Sequence, residues 1–157
     1  MKRLLLALMC LPLAAQAGFE TPAKEAYLYD TTTQSVLLAK NADERMGPSS
    51  MSKMLTVYIV FEKLKAGELK LSDTFYVSEK AWKMGGSKMF VKVGDRVPVE
   101  DLLQGVMIQS GNDACIVLAE GIAGTEDSFA EIMNVKAQQL GLTGSHFANA
   151  TGWPDEN

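Results

Sequence analysis

The chain is poor in the residues that bind metals and form disulfides. His146 is its one histidine, and Cys10 and Cys115 are its two cysteines. So few imidazole and thiol groups cannot supply a zinc site built from several such ligands. Cys10 lies in an N-terminal stretch that we expect to be removed, which leaves Cys115 without a partner for an internal disulfide. We therefore predict no metal and no other cofactor, and we interpret Cys115 as a small core residue in an apolar helix.

An excess of positive charge and two common catalytic motifs are also missing. The chain has 15 basic and 19 acidic residues, and without Lys2 and Arg3 it has 13 basic residues and a net charge of −6. This acidic balance argues against a nucleic-acid partner. No Gly-x-Ser-x-Gly occurs, which weakens an α/β-hydrolase interpretation. Gly85-Gly86-Ser87-Lys88 lacks the glycine spacing of a phosphate-binding loop, and we interpret it as a loop beside a cleft.

Residues 1–17, MKRLLLALMCLPLAAQA, have the pattern of a signal peptide. A basic start precedes an apolar centre from Leu4 to Leu13, and Ala15-Gln16-Ala17 forms a cleavage site. The apolar centre is too short to span a bilayer. We therefore expect an exported protein of the periplasm or cell envelope. Its mature part, residues 18–157, is long enough for one domain.

The hydrophobic pattern predicts a strand pair followed by helices, an α/β arrangement of the α+β kind. Ala26–Asp30 and Ser35–Lys40 alternate in polarity around a threonine-rich turn, as expected for a β-hairpin. Short strands or extended loops are predicted at Phe75–Ser78 and Met89–Lys92. Helices are predicted for Ser50–Lys65, Glu100–Ile108, Asp113–Ile122 and Glu126–Leu140.

The last of these helices has well-defined ends. Thr125 is the expected N-cap, and Gly141 is expected to end the helix. Its apolar residues recur at helical spacing and predict one buried stripe, formed by Phe129, Ile132, Met133, Ala137 and Leu140.

Ser50 and Lys53 stand three residues apart at the start of a predicted helix, where they would share one face. The segment 51–61, MSKMLTVYIVF, is apolar around almost its whole circumference, which predicts a core helix. Burial lowers the pKa of a lysine, and a neutral lysine is a usable general base. In the first turn, Ser50 would also lie beside free backbone N–H groups. Ser-x-x-Lys is common by chance, so this pattern alone leaves a meaningless coincidence open.

A second polar stretch, Gln109–Asp113, separates two apolar helical segments. Serine, glycine and asparagine favour turns, so an ordinary connection between helices is one interpretation. The other is that Ser110 and Asn112 present a hydroxyl and an amide to a cleft. Together with Ser50 and Lys53, we favour the second interpretation.

Ser-x-x-Lys followed by Ser-x-Asn resembles the signature of the serine penicillin-recognising enzymes. PSSMSKMLT, GGSKMFVKVGDRVPVEDLLQGVMIQSGNDA and LGLTGSHFANATGW extend this resemblance to the D-alanyl-D-alanine carboxypeptidases of peptidase family S11, the low-molecular-mass penicillin-binding proteins of the 5/6 type. The similarity runs from about Glu25 to the last residue. It implies a serine β-lactamase/penicillin-binding-protein-like fold, with a catalytic cleft between an antiparallel sheet and a helical lobe. The third family motif, Lys-Thr-Gly, does not occur, so we expect residues 18–157 to be the N-terminal portion of the catalytic domain, ending before the later strands and inactive alone.

The resemblance also implies roles for four residues. Ser50 would be the nucleophile, Lys53 its base and Ser110 a proton relay, while Asn112 would bind substrate and help orient Lys53. The expected substrates are peptidoglycan stem peptides ending in D-Ala-D-Ala, and β-lactam antibiotics are the expected inhibitors. A D,D-endopeptidase, a class A β-lactamase, and an inactive truncated or muropeptide-binding protein remain as alternatives. The lactamase usually has an aspartate where Gly111 stands. No membrane anchor is visible in the sequence.

Overall fold

The structure, a computed structural model, describes residues 20–155. The chain divides into two compact units, one ending at Met46 and the other beginning at Gly47. The predicted signal peptide, residues 1–17, lies outside the described residues. Within residues 20–155, none of the helices combines the length and the apolar character that crossing a membrane requires.

The first unit contains a β-hairpin of β1 (Ala26–Asp30) and β2 (Ser35–Lys40), with the predicted bounds. The strands are antiparallel, and their register shifts between Leu28 and Tyr29. The Asp30 carboxylate closes the turn by accepting hydrogen bonds from the backbone N–H groups of Thr32 (2.8 Å) and Thr33 (3.3 Å). A hydrogen bond from the Thr33 hydroxyl and these backbone bonds lower the pKa of Asp30.

The second unit is mainly helical and confirms the four predicted helices to within a few residues. A single 3₁₀ turn at Ser49–Ser52 leads into α1 (Lys53–Ala66), which replaces the continuous helix expected from Ser50. The remaining elements are β3 (Thr74–Tyr76), α2 (Glu79–Lys83), β4 (Arg96–Pro98), α3 (Val99–Gln109), α4 (Asn112–Ala123) and α5 (Glu126–Gln139). Neither α2 nor β4 was predicted. The partner of β3 is β4, with Phe75 opposite Val97, and Met89–Lys92 is irregular instead of a strand.

Helix α4 forms the centre of this unit. Its residues from Asn112 to Ala119 are all buried, and Phe129 and Met133 of α5 belong to the same core. The N-cap of α5 is Thr125 as predicted, because its hydroxyl accepts the backbone N–H of Ser128 at 3.1 Å. Leu140 was expected in the buried stripe, and this was wrong: α5 ends one residue earlier, and 43% of Leu140 is exposed.

Helix α1 has two different faces, so its predicted burial on all sides is only half correct. Leu55, Ile59 and Val60 belong to the core. Met54, on the other side, is 70% exposed, and Phe61 is 46% exposed. These exposed apolar side chains face a cleft rather than the core, and that cleft contains the candidate site.

Candidate active site

Ser50 lies in a backbone turn that projects it from the start of α1. Pro48 begins the turn, and its carbonyl accepts the backbone N–H of Met51 at 3.1 Å. Ser49 has a left-handed φ of 48°, which is uncommon for a residue with a side chain. The carbonyl of Ser49 packs directly against Gly152, so the turn is supported from a distant part of the chain. Ser50 is exposed to solvent, so its hydroxyl is accessible to a ligand.

Lys53 is the centre of a compact polar cluster. Only 5% of this residue is exposed. Its Nζ donates to Ser50 Oγ at 3.0 Å, to the backbone carbonyl of Ser110 at 2.7 Å and to Ser110 Oγ at 2.9 Å. The structure therefore brings together three of the predicted site residues, although Ser110 is separated from Lys53 by 57 positions in sequence.

The surroundings of Lys53 shift its protonation equilibrium towards the neutral amine. Burial lowers the pKa of Lys53, while the carboxylate of Asp113 acts in the opposite direction. A carbonyl oxygen can only accept, so the Ser110 carbonyl must receive one N–H from Lys53. A neutral amine would still have one N–H for a hydroxyl and one lone pair for the other hydroxyl proton. The three contacts are compatible both with an ammonium that donates to all three oxygens and with a neutral amine that accepts the proton of Ser50 Oγ.

The position of Ser110 depends on an unusual backbone conformation. This residue ends α3 with φ 55° and ψ 37°, in the left-handed region. The next N–H, that of Gly111, returns to the carbonyl of Gly105 at 3.0 Å. The chain then turns at once into α4. This tight turn directs both the carbonyl and the hydroxyl of Ser110 to Lys53.

Asn112, the fourth predicted site residue, begins α4 and is 6% exposed. Its Nδ2 donates to the carbonyl of Gly85 at 2.8 Å, and its backbone N–H donates to the carbonyl of Ser87 at 2.8 Å. A Cβ on Gly86 would lie 2.7 Å from Asn112 Nδ2 and 2.9 Å from the Trp153 ring. None of the three Lys53 contacts involves Asn112, so the predicted orienting role stays a prediction.

The cluster opens into a cleft of about 520 Å³ between α1 and α3. Ser50, Lys53 and Ser110 form its polar end, and apolar side chains such as Tyr58 and Met107 form the rest of its lining. Cys115 lies beneath the cluster, fully buried, and burial raises the pKa of its thiol to about 12. This thiol stays protonated at neutral pH, and its predicted place in the core is confirmed.

Sequence reasoning missed the contacts that surround the four residues. It did not predict the carbonyls of Gly85 and Ser87 as partners of Asn112, nor the support of Ser49 by Gly152. It also overlooked Asp113, although a carboxylate at the start of an apolar helix needs several donors when it is buried. A single acidic residue next to the apolar residues of this helix was the sequence pattern that could have predicted these contacts.

Comparison with known proteins identifies the family of this chain. Residues 13–157 match the family model of the Peptidase S11 D-alanyl-D-alanine carboxypeptidases. Among curated relatives, the chain is 44% identical over 148 residues to D-alanyl-D-alanine carboxypeptidase DacC of Escherichia coli, covering 88% of this chain and 37% of the relative. It is 43% identical over 134 residues to D-alanyl-D-alanine carboxypeptidase DacF of Bacillus subtilis, covering 85% and 34%. The chain thus spans about a third of the length of these relatives.

Solved structures show the same fold. The D-alanyl-D-alanine carboxypeptidase DacD from Francisella tularensis superposes with a TM-score of 0.85 at 41% identity, over 90% of this chain and 34% of that one. Penicillin binding protein 5 from Haemophilus influenzae gives a TM-score of 0.78 at 38% identity, over 88% and 42%. These matches confirm the predicted fold class, a penicillin-binding-protein-like arrangement of helices and antiparallel strands. The chain belongs to the Peptidase S11 family, the D-alanyl-D-alanine carboxypeptidases.

Proposed function

We propose that the protein is a serine-type D-Ala-D-Ala carboxypeptidase of the bacterial cell envelope. It would remove the terminal D-alanine from peptidoglycan stem pentapeptides through an acyl-enzyme on Ser50, and β-lactams would acylate the same serine. One observation carries the proposal. The buried amine of Lys53 lies within 3.0 Å of Ser50 Oγ and 2.9 Å of Ser110 Oγ, so a single base links two hydroxyls.

Acylation begins with neutral Lys53. Its Nζ takes the Ser50 Oγ proton as Oγ forms a bond to the carbonyl carbon of the D-Ala-D-Ala peptide. The carbonyl oxygen becomes an oxyanion, and the backbone N–H of Ser50 is one donor that would stabilise it. A donor at this position typically contributes ~3 kcal/mol to the transition state.

Collapse of the tetrahedral intermediate breaks the carbon–nitrogen bond. Lys53, now protonated, returns its proton through the hydroxyl of Ser110 to the departing amine of D-alanine. Asn112 would hold the peptide amide of the substrate. Water then attacks the ester, its proton passes back to Ser50 Oγ, and the shortened peptide leaves with the new carboxylate.

Labelling with a fluorescent penicillin tests the proposal in the complete gene product. We expect a stable adduct, located on Ser50 by mass spectrometry, and release of D-alanine from a pentapeptide ending in D-Ala-D-Ala. Ser50→Ala should abolish both, whereas Ser49→Ala and Ser52→Ala serve as matched controls and should keep labelling detectable. An adduct on another serine would overturn the assignment.

The same assay separates the alternatives. Rapid turnover of the penicillin would indicate a β-lactamase, and no adduct would indicate a non-catalytic muropeptide-binding protein. A D,D-endopeptidase would form the adduct but cleave a cross-linked muropeptide dimer faster than the pentapeptide. A D-alanyl-D-alanine endopeptidase of Pseudomonas aeruginosa is 27% identical over 134 residues, so both substrates should be compared.

A further inference from the structure

Asp113 has no role in the proposed reaction, yet its carboxylate accepts four backbone hydrogen bonds beside the site. The residue is fully buried. Its Oδ1 accepts the backbone N–H groups of Met89 (3.0 Å) and Ala114 (2.9 Å), and its Oδ2 accepts those of Phe90 (2.9 Å) and Val91 (3.3 Å). Charge-assisted bonds of this kind are stronger than neutral ones. Three of the four donors belong to a segment more than 20 positions away in sequence.

The segment that Asp113 binds contains a strained residue. Phe90 has a φ of 65°, in a region that bulky residues rarely adopt, and 78% of it is exposed. Among the described residues, burial of its ring therefore contributes little free energy to offset this strain. A backbone in this conformation persists only where its surroundings over-determine it. Here the consecutive N–H groups of Met89, Phe90 and Val91 are held by one carboxylate.

The same segment continues to the candidate site. Just before Met89, the carbonyls of Gly85 and Ser87 accept both hydrogen bonds that fix Asn112. Asp113 follows Asn112 directly in α4. The side chain of Asp113 therefore holds residues 89–91, and residues 85–87 in turn hold the side chain and backbone of Asn112. Both residues that contact this segment, Asn112 and Asp113, lie in the first turn of α4.

We propose that Asp113 is a positioning residue, which anchors the segment 85–91 in its strained conformation so that Asn112 faces the substrate. The inference rests on the proposed function. The alternative is that Asp113 only supports the start of α4. That role would need no more than the bond to the N–H of Ala114. The bonds to Met89, Phe90 and Val91 favour positioning.

Asp113→Asn tests the anchor, because an amide offers one accepting oxygen and turns its NH₂ donors towards backbone N–H groups. We expect the penicillin concentration for half-maximal acylation to rise about ten- to hundredfold, since small misplacements of a binding group have effects of this size. The maximal acylation rate should not fall, because Asp113 makes no hydrogen bond to Ser50, Lys53 or Ser110 and the loss of its charge lowers the pKa of Lys53, which favours the neutral base. Asp127→Asn, at an exposed aspartate in the first turn of α5, is the matched control.

A rescue separates positioning from general support of the fold. Glycine adopts φ near 65° without steric cost, so Phe90→Gly should recover part of the loss caused by Asp113→Asn. A double variant that recovers nothing, with a melting temperature lowered in parallel, would overturn the proposal. If Asp113→Asn does not fold, Phe90→Val replaces it. A β-branched residue disfavours the left-handed backbone more strongly than glycine does. The penicillin concentration for half-maximal acylation should therefore rise more in Phe90→Val than in Phe90→Gly. Equal effects of the two substitutions would contradict the proposed anchor.

Hydrogen exchange gives a result that does not depend on catalysis. The amides of Met89, Phe90 and Val91 should exchange faster in Asp113→Asn than in the parent, while those of β1 and β2 should not change. Unchanged exchange at residues 89–91 would overturn the anchor even if penicillin binds. A parent protein that takes no penicillin would instead refute the proposed function, and the exchange measurement would still decide whether Asp113 holds the segment.

Discussion

Gly152→Ala should damage both the stability of the protein and the turn that presents Ser50. Gly152 has φ 75°, and a residue with a side chain adopts this region at a cost of ~1–2 kcal/mol. A Cβ at this position would overlap the carbonyl oxygen of Ser49 and lie 2.9 Å from Ser52 Oγ. The backbone of Ser49 cannot rotate away as the end of a side chain can. Forced overpacking typically costs ~1–3 kcal/mol, so the total loss should be about 2–5 kcal/mol.

Substitutions of two other glycines measure the cost of the left-handed backbone separately from the cost of the steric overlap. Gly141 also has a left-handed φ, 77°, but a Cβ there would meet nothing within 4 Å. Gly144 has neither a left-handed φ nor a neighbour within 4 Å. Urea denaturation should therefore show a loss of ~1–2 kcal/mol for Gly141→Ala and a change within ~0.5 kcal/mol for Gly144→Ala. The free energy of unfolding of a domain is only ~5–15 kcal/mol. The larger loss in Gly152→Ala should therefore be a clearly measurable fraction of the total stability.

The rate of penicillin acylation provides the second measurement. Ser50 follows Ser49 directly, so a displaced Ser49 carbonyl should slow acylation of folded Gly152→Ala. Gly141→Ala and Gly144→Ala should acylate at the parent rate. If Gly152→Ala loses no more stability than Gly141→Ala and acylates normally, then Gly152 does not support the turn that contains Ser50.

Three further predictions concern Lys53 and the capping of α5. Lys53→Arg should slow acylation as much as Lys53→Ala, because a guanidinium keeps its proton; near-normal acylation in Lys53→Arg would show a role for charge rather than basicity. The acylation rate should rise with pH as Lys53 loses its proton, with a midpoint below the ordinary lysine pKa of about 10.4, because burial lowers the pKa of Lys53; a stopped-flow pH profile with a higher midpoint would contradict this. Thr125→Ala should cost ~0.5–2 kcal/mol in urea denaturation through loss of the N-cap, and Thr125→Ser should keep most of that stability.

Features that depend on neighbours in sequence were predictable. The hairpin of β1 and β2 has the predicted bounds, because alternation and the Asp30 turn are local signals. The spacing of Ser50 and Lys53 predicted their contact, which the helical turn brings to 3.0 Å. The cap at Thr125 likewise involves a partner three residues away. In each case the residues that determine the structure belong to one short continuous segment of the chain.

Features that depend on distant residues were not predictable. A short strand or loop was predicted near β3, but its three-residue partner β4 was not, because Phe75 comes opposite Val97 only when the chain folds back. The conformation of residues 89–91 depends on the carboxylate of Asp113, which no local pattern in that segment reveals. The hydrogen bond from Lys53 to the carbonyl of Ser110 was also not predictable. Every residue has a backbone carbonyl, so the sequence does not indicate which one Lys53 binds.

The left-handed backbone of Ser110 restricts which genetic changes the site can survive. Threonine carries the same hydroxyl as serine and is usually its mildest replacement. At φ 55°, however, a β-branched side chain is strongly disfavoured. Asparagine, aspartate and glycine tolerate this backbone but bring no hydroxyl. Serine carries the hydroxyl without a branch at Cβ, so replacement of Ser110 by threonine, asparagine, aspartate or glycine loses either the hydroxyl or an easily adopted backbone conformation.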